Sequence, residues 1–388
     1  MTFSSRTPSD LAPNRLSRAL ARLRAAGAPI VDLTVSNPTT VGLAFDEGVL
    51  APLSSEAGLV YEPEPFGLPA ARRAVAAEYA RRGVGIAPER IVLTASTSEA
   101  YAHLFKLLCE PGDDVLVPAP SYPLFEHLAR LDAVRAVPYP LDADGGWAIH
   151  ADQVAAAITA RTRAIVVVSP NNPTGTFLKR RELDPLVALA AGRGVALVGD
   201  EVFFEYPLDA PADRASVLAA EGALVFALGG LSKSAALPQV KLGWMAAGGP
   251  EAIVAAALAR LEIVADTYLS VATPVQHAAP ALVEAGRARR ALVQARVEEN
   301  LAALRGLIAS HPACRVPRVE GGWSAVVQVP ATRSEDALVL ALLEEDRVLV
   351  HPGYFFDFPR EAFIIVSLLP PPAVFAEGVA RALARADR

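Results

Sequence analysis

Two lysines in one short segment are the first candidates for chemistry. Lys233 and Lys241 both lie in Gly230–Trp244, which reads G-L-S-K-S-A-A-L-P-Q-V-K-L-G-W. The apolar run Ala223–Leu228 before this segment predicts a buried strand, so Lys233 would leave a strand end on a loop of small and polar residues. A lysine placed in this way can form an imine with an aldehyde, and the second lysine can hold a phosphate group. Most lysines are solvated surface charges, so this interpretation needs support from elsewhere in the chain.

The loop with Lys233 belongs to a series of short apolar runs that alternate with helical patterns from about residue 90 onward. Continuous apolar strands that alternate with helices are typical of a mainly parallel sheet covered on both faces. The sequence therefore predicts an α/β fold with a mainly parallel, seven-stranded sheet. The predicted strands are Ile91–Thr94, Val115–Pro118, Val134–Pro138, Ala164–Val168, Val195–Gly199, Leu224–Leu228 and Leu242–Ala247, with helices at Glu99–Leu108, Leu124–Leu131 and Glu182–Ala191.

The two ends of the chain predict a second, smaller α+β unit. We expect residues 46–285 to form the large, cofactor-binding domain, and residues 1–45 and 286–388 to form the small domain together. The predicted helices around and within the ends are Asn14–Ala26, Ala70–Arg82, Pro250–Ala265, Gly286–Ile308 and Ser334–Glu345, and the predicted strands are Ile30–Val35, Ala325–Val329, Val348–Val350 and Phe363–Leu368.

Composition excludes several classes of protein. The chain has 388 residues, of which 52% are hydrophobic and 20% charged, which is typical of a globular protein with room for two domains. A net charge of −6 and the lack of a basic run argue against nucleic acid as a partner. The only two cysteines, Cys109 and Cys314, have no zinc or disulfide spacing, so we expect no metal site. Without a signal peptide or an 18-residue apolar stretch, we expect a cytoplasmic protein with no membrane partner.

Polar residues follow the predicted strands at the edge where open parallel sheets bind ligands. Ser96 and Thr97 open a helix whose free N–H groups can bind phosphate, although serine before a helix is also a common cap. Tyr122 and Asn172 follow the next strands in turn-like segments, where each could also be an ordinary loop residue. Asp200 ends a buried strand and needs a cationic or donor partner there.

This set of groups fits pyridoxal 5'-phosphate. The helix end and Lys241 would hold the phosphate, and Lys233 would form the imine. Asp200 would pair with the protonated pyridine nitrogen and keep the ring an electron sink. Asn172 would donate to the ring oxygen O3′, and Tyr122 would stack on the ring. Each group has an ordinary structural explanation alone, but five at the strand ends of one sheet are not expected by chance.

These residues resemble the class I/II aminotransferases, which are fold type I pyridoxal-phosphate enzymes, over nearly the whole chain. The resemblance implies that Lys233 is the Schiff-base lysine. It also implies that Tyr61 is the tyrosine that reaches the phosphate of the neighbouring subunit, and hence a homodimer with shared active sites. The motifs that carry it are D-L-T-V-S-N-P at 32–38, Y-x5-G-x4-R at 61–72, S-P-N-N-P-T-G at 169–175, G-D-E-V at 199–202, S-K-S-A-A-L-P-Q-V-K-L-G-W at 232–244 and P-G-Y-F-F at 352–356.

The chain departs from the family pattern at both the cofactor end and the substrate end. Phe203 stands where the family usually has a tyrosine, and Lys241 stands for the usual phosphate-binding arginine. Ile365 occupies the position of the arginine that usually binds the substrate α-carboxylate. Arg360 lies five residues away and is out of register unless the local loop brings it in. Ser36 replaces a usual glycine near the N-terminal Asn-Pro.

The sequence therefore predicts a pyridoxal-phosphate-dependent aminotransferase that moves an amino group between an amino acid or amine and a 2-oxo acid. Lys233 would give up its imine to the incoming amine and then move a proton between Cα and C4′. The alternative is a lyase, decarboxylase or oxidase of the same fold in a biosynthetic pathway, because Ile365 removes the expected carboxylate ligand. A regulator with a DNA-binding module is a third hypothesis, which the enzyme-like pattern from about residue 14 argues against.

Overall fold

The computed structural model describes residues 3–387, so residues 1, 2 and 388 of the predicted domains lie outside the described residues. The strands within this range form three sheets. In chain order they are β1 (Val31–Asp32), β2 (Ile91–Thr94), β3 (Asp114–Ala119), β4 (Arg135–Pro140), β5 (Thr162–Val168), β6 (Ala196–Asp200), β7 (Val225–Gly230), β8 (Gly243–Gly248), β9 (Ser324–Gln328), β10 (Val348–Leu349), β11 (His351–Pro352) and β12 (Phe363–Ser367).

The α-helices connect these strands and cover the sheets. In chain order they are α1 (Arg15–Ala25), α2 (Pro69–Arg81), α3 (Thr97–Leu108), α4 (Leu124–Leu131), α5 (Ala151–Ala157), α6 (Arg180–Arg193), α7 (Leu231–Ser234), α8 (Glu251–Tyr268), α9 (Thr273–Ile308), α10 (Glu335–Glu344) and α11 (Pro372–Ala386). Within residues 3–387, none of them combines the length and the apolar character that a membrane crossing requires.

The large sheet has seven strands in the order β2-β8-β7-β6-β5-β3-β4, and only β8 runs antiparallel to its neighbours. Its central strands are largely apolar because successive residues face two different cores. In β5, Ile165 and Val167 pack under α2, α5, α6 and α9, whereas Val166 and Val168 pack under α3, α4 and α8. The predicted α/β fold with a mainly parallel seven-stranded sheet is therefore confirmed.

The two ends of the chain meet in the smaller unit, as predicted. β1 pairs parallel with β10, with Val31 opposite Val348, while β11, β12 and β9 form an antiparallel sheet. A separate core joins Leu16 and Leu33 from the N-terminal part to Phe375 from the C-terminal part. Burial of these side chains fixes the N-terminal segment to the rest of the smaller unit.

The helix predicted to start at Gly286 starts instead at Thr273 and runs for 36 residues. Pro274 is compatible with this start because its missing N–H falls in the first turn. Gly286 lies inside the helix, where it packs closely against Ala235. A Cβ at this position would be 2.5 Å from the Cβ of Ala235, so a larger residue does not fit. The predicted boundary between residues 285 and 286 falls within this helix, and the division into domains stays a prediction. Helix α11, which the sequence interpretation did not include, buries Phe375, Val379 and Leu383 at four-residue spacing.

Candidate active site

Lys233 lies in the short helix α7, which begins where strand β7 ends. Its side chain is only half-exposed, and Nζ lies 5.1 Å from the ring centroid of Trp323 and 5.5 Å from that of Phe203. Burial lowers the pKa of the ammonium, while attraction to the Asp200 carboxylate partly opposes this shift. A larger share of the amine is therefore neutral, and nucleophilic, than in a solvated lysine.

The backbone around Lys233 is held by residues that are distant in sequence. The Tyr206 hydroxyl donates to the carbonyl oxygen of Lys233 at 2.6 Å. Arg289, buried on α9, donates from Nε to the carbonyl of Ala235 and from Nη2 to that of Ala236, both at 3.1 Å. These hydrogen bonds fix the position of α7 relative to the sheet, so the backbone that carries the Lys233 side chain is held in place.

Asp200 lies at the carboxyl end of β6 with 9% of its surface exposed. The Tyr101 hydroxyl donates to Oδ2 at 3.1 Å, and the Val202 amide donates to Oδ1 at 3.3 Å. Burial raises the pKa of this carboxyl, and the two hydrogen bonds and the charge of Lys233 offset part of the rise. A further cation beside this buried carboxyl group would stabilise its charged form. A protonated pyridine nitrogen is such a cation.

The N-terminus of α3 forms the predicted phosphate end. Ser96 caps the helix, because its Oγ accepts from the Glu99 amide at 3.2 Å, and Thr97 is the first helical residue. Gly243 packs against this turn, and a Cβ there would lie 2.9 Å from the carbonyl carbon of Ser96 and 3.1 Å from the nitrogen of Thr97. Lys241 is exposed two residues before Gly243, so its segment runs beside the free N–H groups of the helix.

Asn172 and its neighbour Asn171 differ in their surroundings. Asn171 is buried and donates to the carbonyl of Pro120 at 3.1 Å, while its Oδ1 accepts from Ser121 at 2.9 Å. Asn172 is half-buried, and its side chain makes no hydrogen bond within residues 3–387. Asn171 thus connects two loops of the site and leaves the amide of Asn172 available for a ligand.

Tyr122 follows β3 on the loop that Asn171 connects to β5. Its side chain is exposed, and its ring lies 6.5 Å from that of Phe125 in an edge-to-face arrangement. Burial of the hydroxyl and the nearby charge of Asp200 raise the pKa of Tyr122. The effect of Asp200 on Tyr122 is consistent with a location at the same end of the sheet.

Tyr61 is a predicted site residue for which the described part of the single chain shows no contact with the others. Its side chain is 70% exposed on the loop before α2. It borders a cavity of about 140 Å³ that is also lined by Leu269 and Gln276. Within residues 3–387 it makes no side-chain hydrogen bond or ion pair to another predicted site residue.

Ile365 and Arg360 are the two residues that bear on the expected carboxylate ligand. Ile365 is 2% exposed on β12, where it pairs with Val326 on one side and His351 on the other. Arg360 is exposed, and its guanidinium lies 5.7 Å from the ring centroid of Phe363. The loop therefore places Arg360 against an aromatic ring rather than in the register of Ile365.

A buried charge cluster lies behind Asp200 that the sequence interpretation missed. Glu201 accepts from the Ser216 hydroxyl at 2.8 Å and from the Val217 amide at 2.9 Å, and its Oε2 lies 3.4 Å from Nη1 of Arg82. Burial raises the pKa of Glu201 to about 7, although Arg82 and both hydrogen bonds oppose the rise. The cluster fixes the chain directly after Asp200.

Two further residues of the site were missed because their signals are weak. Tyr101 lies one turn into α3, and only its spacing from Thr97 could have placed it near the strand ends. Trp323 comes from the other end of the chain and carries no local motif, yet its ring lies beside Lys233 and 5.2 Å from that of Phe203.

The fold and the lysine-centred strand edge define a fold type I enzyme, and comparison with known proteins agrees. The family model for aminotransferase class I and II matches residues 50–373. The chain therefore belongs to the class I and II aminotransferase family, and it is an aminotransferase.

The relatives share most of their length with this chain. Glutamate-pyruvate aminotransferase AlaA of Escherichia coli K12 is 28% identical over 359 residues, covering 89% of this chain and 88% of that protein. Arginine-pyruvate transaminase AruH of Pseudomonas aeruginosa is 30% identical over 355 residues, covering 87% and 85%. The solved structure of an alanine aminotransferase from Pyrococcus furiosus has a TM-score of 0.88 at 24% identity, with 99% of both chains covered, and shares the fold.

Proposed function

We propose that this aminotransferase uses pyridoxal 5'-phosphate to move an amino group between an amino acid, or an amine, and a 2-oxo acid. The observation that carries the proposal is the half-buried Lys233 beside the Asp200 carboxylate. Burial lowers the pKa of Lys233, and the charge of Asp200 opposes part of this shift. A neutral amine on a rigid loop beside a buried carboxylate suits imine chemistry with a cationic ring.

Residues on four strand ends and in the Lys233 loop would hold this cofactor. Ser96 and Thr97, at the N-terminus of α3, would bind the phosphate together with Lys241. Asp200 would pair with the pyridine nitrogen. Asn172, whose amide is free within residues 3–387, would donate to the ring oxygen, and Tyr122 would cover one ring face. When bound, pyridoxal phosphate supplies an aldehyde and an electron sink.

The protein's own groups then bind, orient and move protons. The amine of Lys233, with its lowered pKa, can accept a proton from the substrate Cα and deliver it to the C4′ position of the cofactor. Asp200, oriented by Tyr101, keeps a negative charge at a fixed place in a buried setting, where its interaction with a cation is strong. Trp323 and Phe203 provide aromatic surroundings for the lysine amine.

Pyruvate is our proposed partner substrate. The names of AlaA and AruH include pyruvate, and other relatives are named alanine aminotransferase. The amino donors in these names differ, so the shared reaction is the conversion of pyruvate to alanine. This supports an alanine–pyruvate step for this chain, with the second amino acid set by the apolar substrate end around Ile365.

We further propose a homodimer in the cytoplasm that serves a biosynthetic pathway, with Tyr61 completing the site of the partner subunit. The exposed apolar run that contains Tyr61 supports the dimer, because Leu59 is 86% and Val60 is 59% exposed in the single chain. Cys109 and Cys314 are both free, which suits a reducing compartment. The division into domains at residues 45 and 285 belongs to the same proposal.

A second candidate function is a lyase, decarboxylase or oxidase with the same cofactor. The burial of Ile365, where an arginine would bind the substrate carboxylate, favours it. Such enzymes release product repeatedly without a 2-oxo acid, whereas a transaminase stops after one turnover until a 2-oxo acid is added.

A single-turnover experiment tests the proposal. Cofactor-loaded enzyme is mixed with excess L-alanine, and the visible absorbance of the cofactor and the amount of pyruvate are measured. We expect about one pyruvate per active site with loss of the absorbance, and its recovery on addition of 2-oxoglutarate. The Lys233→Ala variant should give no turnover. Continuous product release without a 2-oxo acid, or turnover by the variant, would refute transamination through Lys233.

A further inference from the structure

A cavity of about 500 Å³ lies beside the segment that follows β6, and none of the eight predicted site residues lines it. Its walls come from the end of α2, from α9 and from the segment between β6 and β7. Three carboxylates line the cavity, together with six arginines: Arg81, Arg82, Arg180, Arg214, Arg287 and Arg290. An open cavity with this many guanidinium groups is suited to anions.

Five of these six arginines already pair with carboxylates. Arg82 and Arg290 share Glu205, and the Arg290 Nη1 lies 2.6 Å from the Glu205 Oε2. Arg81, Arg180 and Arg287 pair with acidic residues at or near the rim. These pairs make the wall rigid but leave its charges largely compensated.

Arg214 is the exception. Within residues 3–387 its guanidinium makes no ion pair and no hydrogen bond. The guanidinium carbon lies 5.2 Å from the ring centroid of Phe177 and 5.5 Å from that of Phe204. The centroids of these two rings lie 5.4 Å apart, and the rings pack edge to face.

Arg214 is exposed, and contact with the two rings restricts its guanidinium while the N–H groups remain free. Ordering the side chain before binding reduces the entropy that a ligand would have to overcome. A free, ordered fork of donors matches two oxygens of a phosphate or a carboxylate. The five paired arginines surround this fork, but carboxylates largely compensate their charges, so the free guanidinium of Arg214 would carry the binding.

We propose that this cavity is a second ligand site, which binds a small polyanion carrying phosphate or carboxylate groups through Arg214. The site goes beyond the amino-transfer reaction and does not depend on it. Phosphate esters and tricarboxylates share the required chemistry, and the choice between them is left to two separate probes.

Isothermal titration calorimetry of the cofactor-loaded enzyme, without substrate and at constant ionic strength, tests the site. Inorganic pyrophosphate is the phosphate probe and citrate is the carboxylate probe. Saturable binding of one equivalent per chain is expected for at least one of them, and the probe that binds identifies the class. The loaded cofactor keeps the probes out of the phosphate position at α3.

Arg214→Gln is the test variant, and Arg193→Gln is its matched control. Arg193 is an exposed arginine at the end of α6 that makes no side-chain hydrogen bond or ion pair within residues 3–387. Loss of a charge-assisted fork predicts at least a roughly tenfold weaker Kd for Arg214→Gln. Arg193→Gln should bind like the wild type, and both variants should keep the wild-type melting temperature.

Two outcomes would overturn the proposal. One is the absence of saturable binding for both probes. The other is equal affinity of Arg214→Gln and the wild type, because the anion would then bind elsewhere. Neither outcome bears on transamination, since no substrate is present.

Discussion

Glu201 allows a quantitative test of the electrostatics behind Asp200. Its carboxyl group is buried, and burial raises its pKa from an ordinary 4.5 to about 7. The folded protein therefore holds this proton more tightly than the unfolded chain does. Its contribution to stability is fully present below pH 4.5 and is lost as the pH rises through 7.

The size of the effect follows from the two pKa values. With a pKa of about 7 in the folded state and 4.5 in the unfolded state, this one group lowers the free energy of unfolding by about 2.5 kcal/mol between pH 5 and pH 8. Glu201→Gln keeps an acceptor for the Val217 amide but cannot ionise. The variant should therefore lose about 2.5 kcal/mol of the pH dependence of stability.

Urea unfolding at pH 5 and pH 8, at equal cofactor loading, measures this difference. Glu284→Gln is the control, because Glu284 is an exposed carboxylate that pairs with Arg81 and Arg287. The control should keep the pH dependence of the wild type. An unchanged pH dependence in Glu201→Gln would show that Glu201 is ionised in the folded protein throughout this range, and the reasoning would be wrong.

Two further variants test the cofactor side of the site. Phe203→Tyr adds a donor near the cofactor oxygen, so the imine with Lys233 should lose its proton about one pH unit lower than in the wild type; a spectroscopic pH titration without a difference, or with the opposite one, would contradict this. Lys241→Ala removes a cation beside the N-terminus of α3, so the cofactor Kd, measured by fluorescence titration, should rise about tenfold or more, whereas Lys241→Arg should bind at least as tightly as the wild type.

The sheet and its strand-end residues were predictable because the signals are local. The central strands are largely apolar runs, and polar residues follow closely where they end, as at Asp200 and at Lys233. Parallel strands place their carboxyl ends at one edge, so the order of residues in the chain was enough to bring these two together. The two shift each other's pKa, which is consistent with that expectation.

Other features depend on contacts between distant segments and leave no local signal. Gly286 looks like a helix start in the sequence, but its missing Cβ admits Ala235 in the middle of α9. Trp323 reaches Lys233 only because the small unit packs against the large sheet. Within the described part of the chain, Arg214 is likewise unpaired because the nearby carboxylate of Glu205 pairs with Arg82 and Arg290, which no local sequence pattern indicates.

The most direct test of the central claim is to locate the lysine that binds the cofactor. Borohydride reduction of the loaded enzyme, followed by peptide mass spectrometry, fixes the imine at its lysine. Lys233 and Lys241 lie only eight positions apart, but only Lys233 is near Asp200 and in the aromatic surroundings of Phe203 and Trp323. We predict a pyridoxyl adduct on Lys233 alone. An adduct on Lys241, or none on either lysine, would contradict the account.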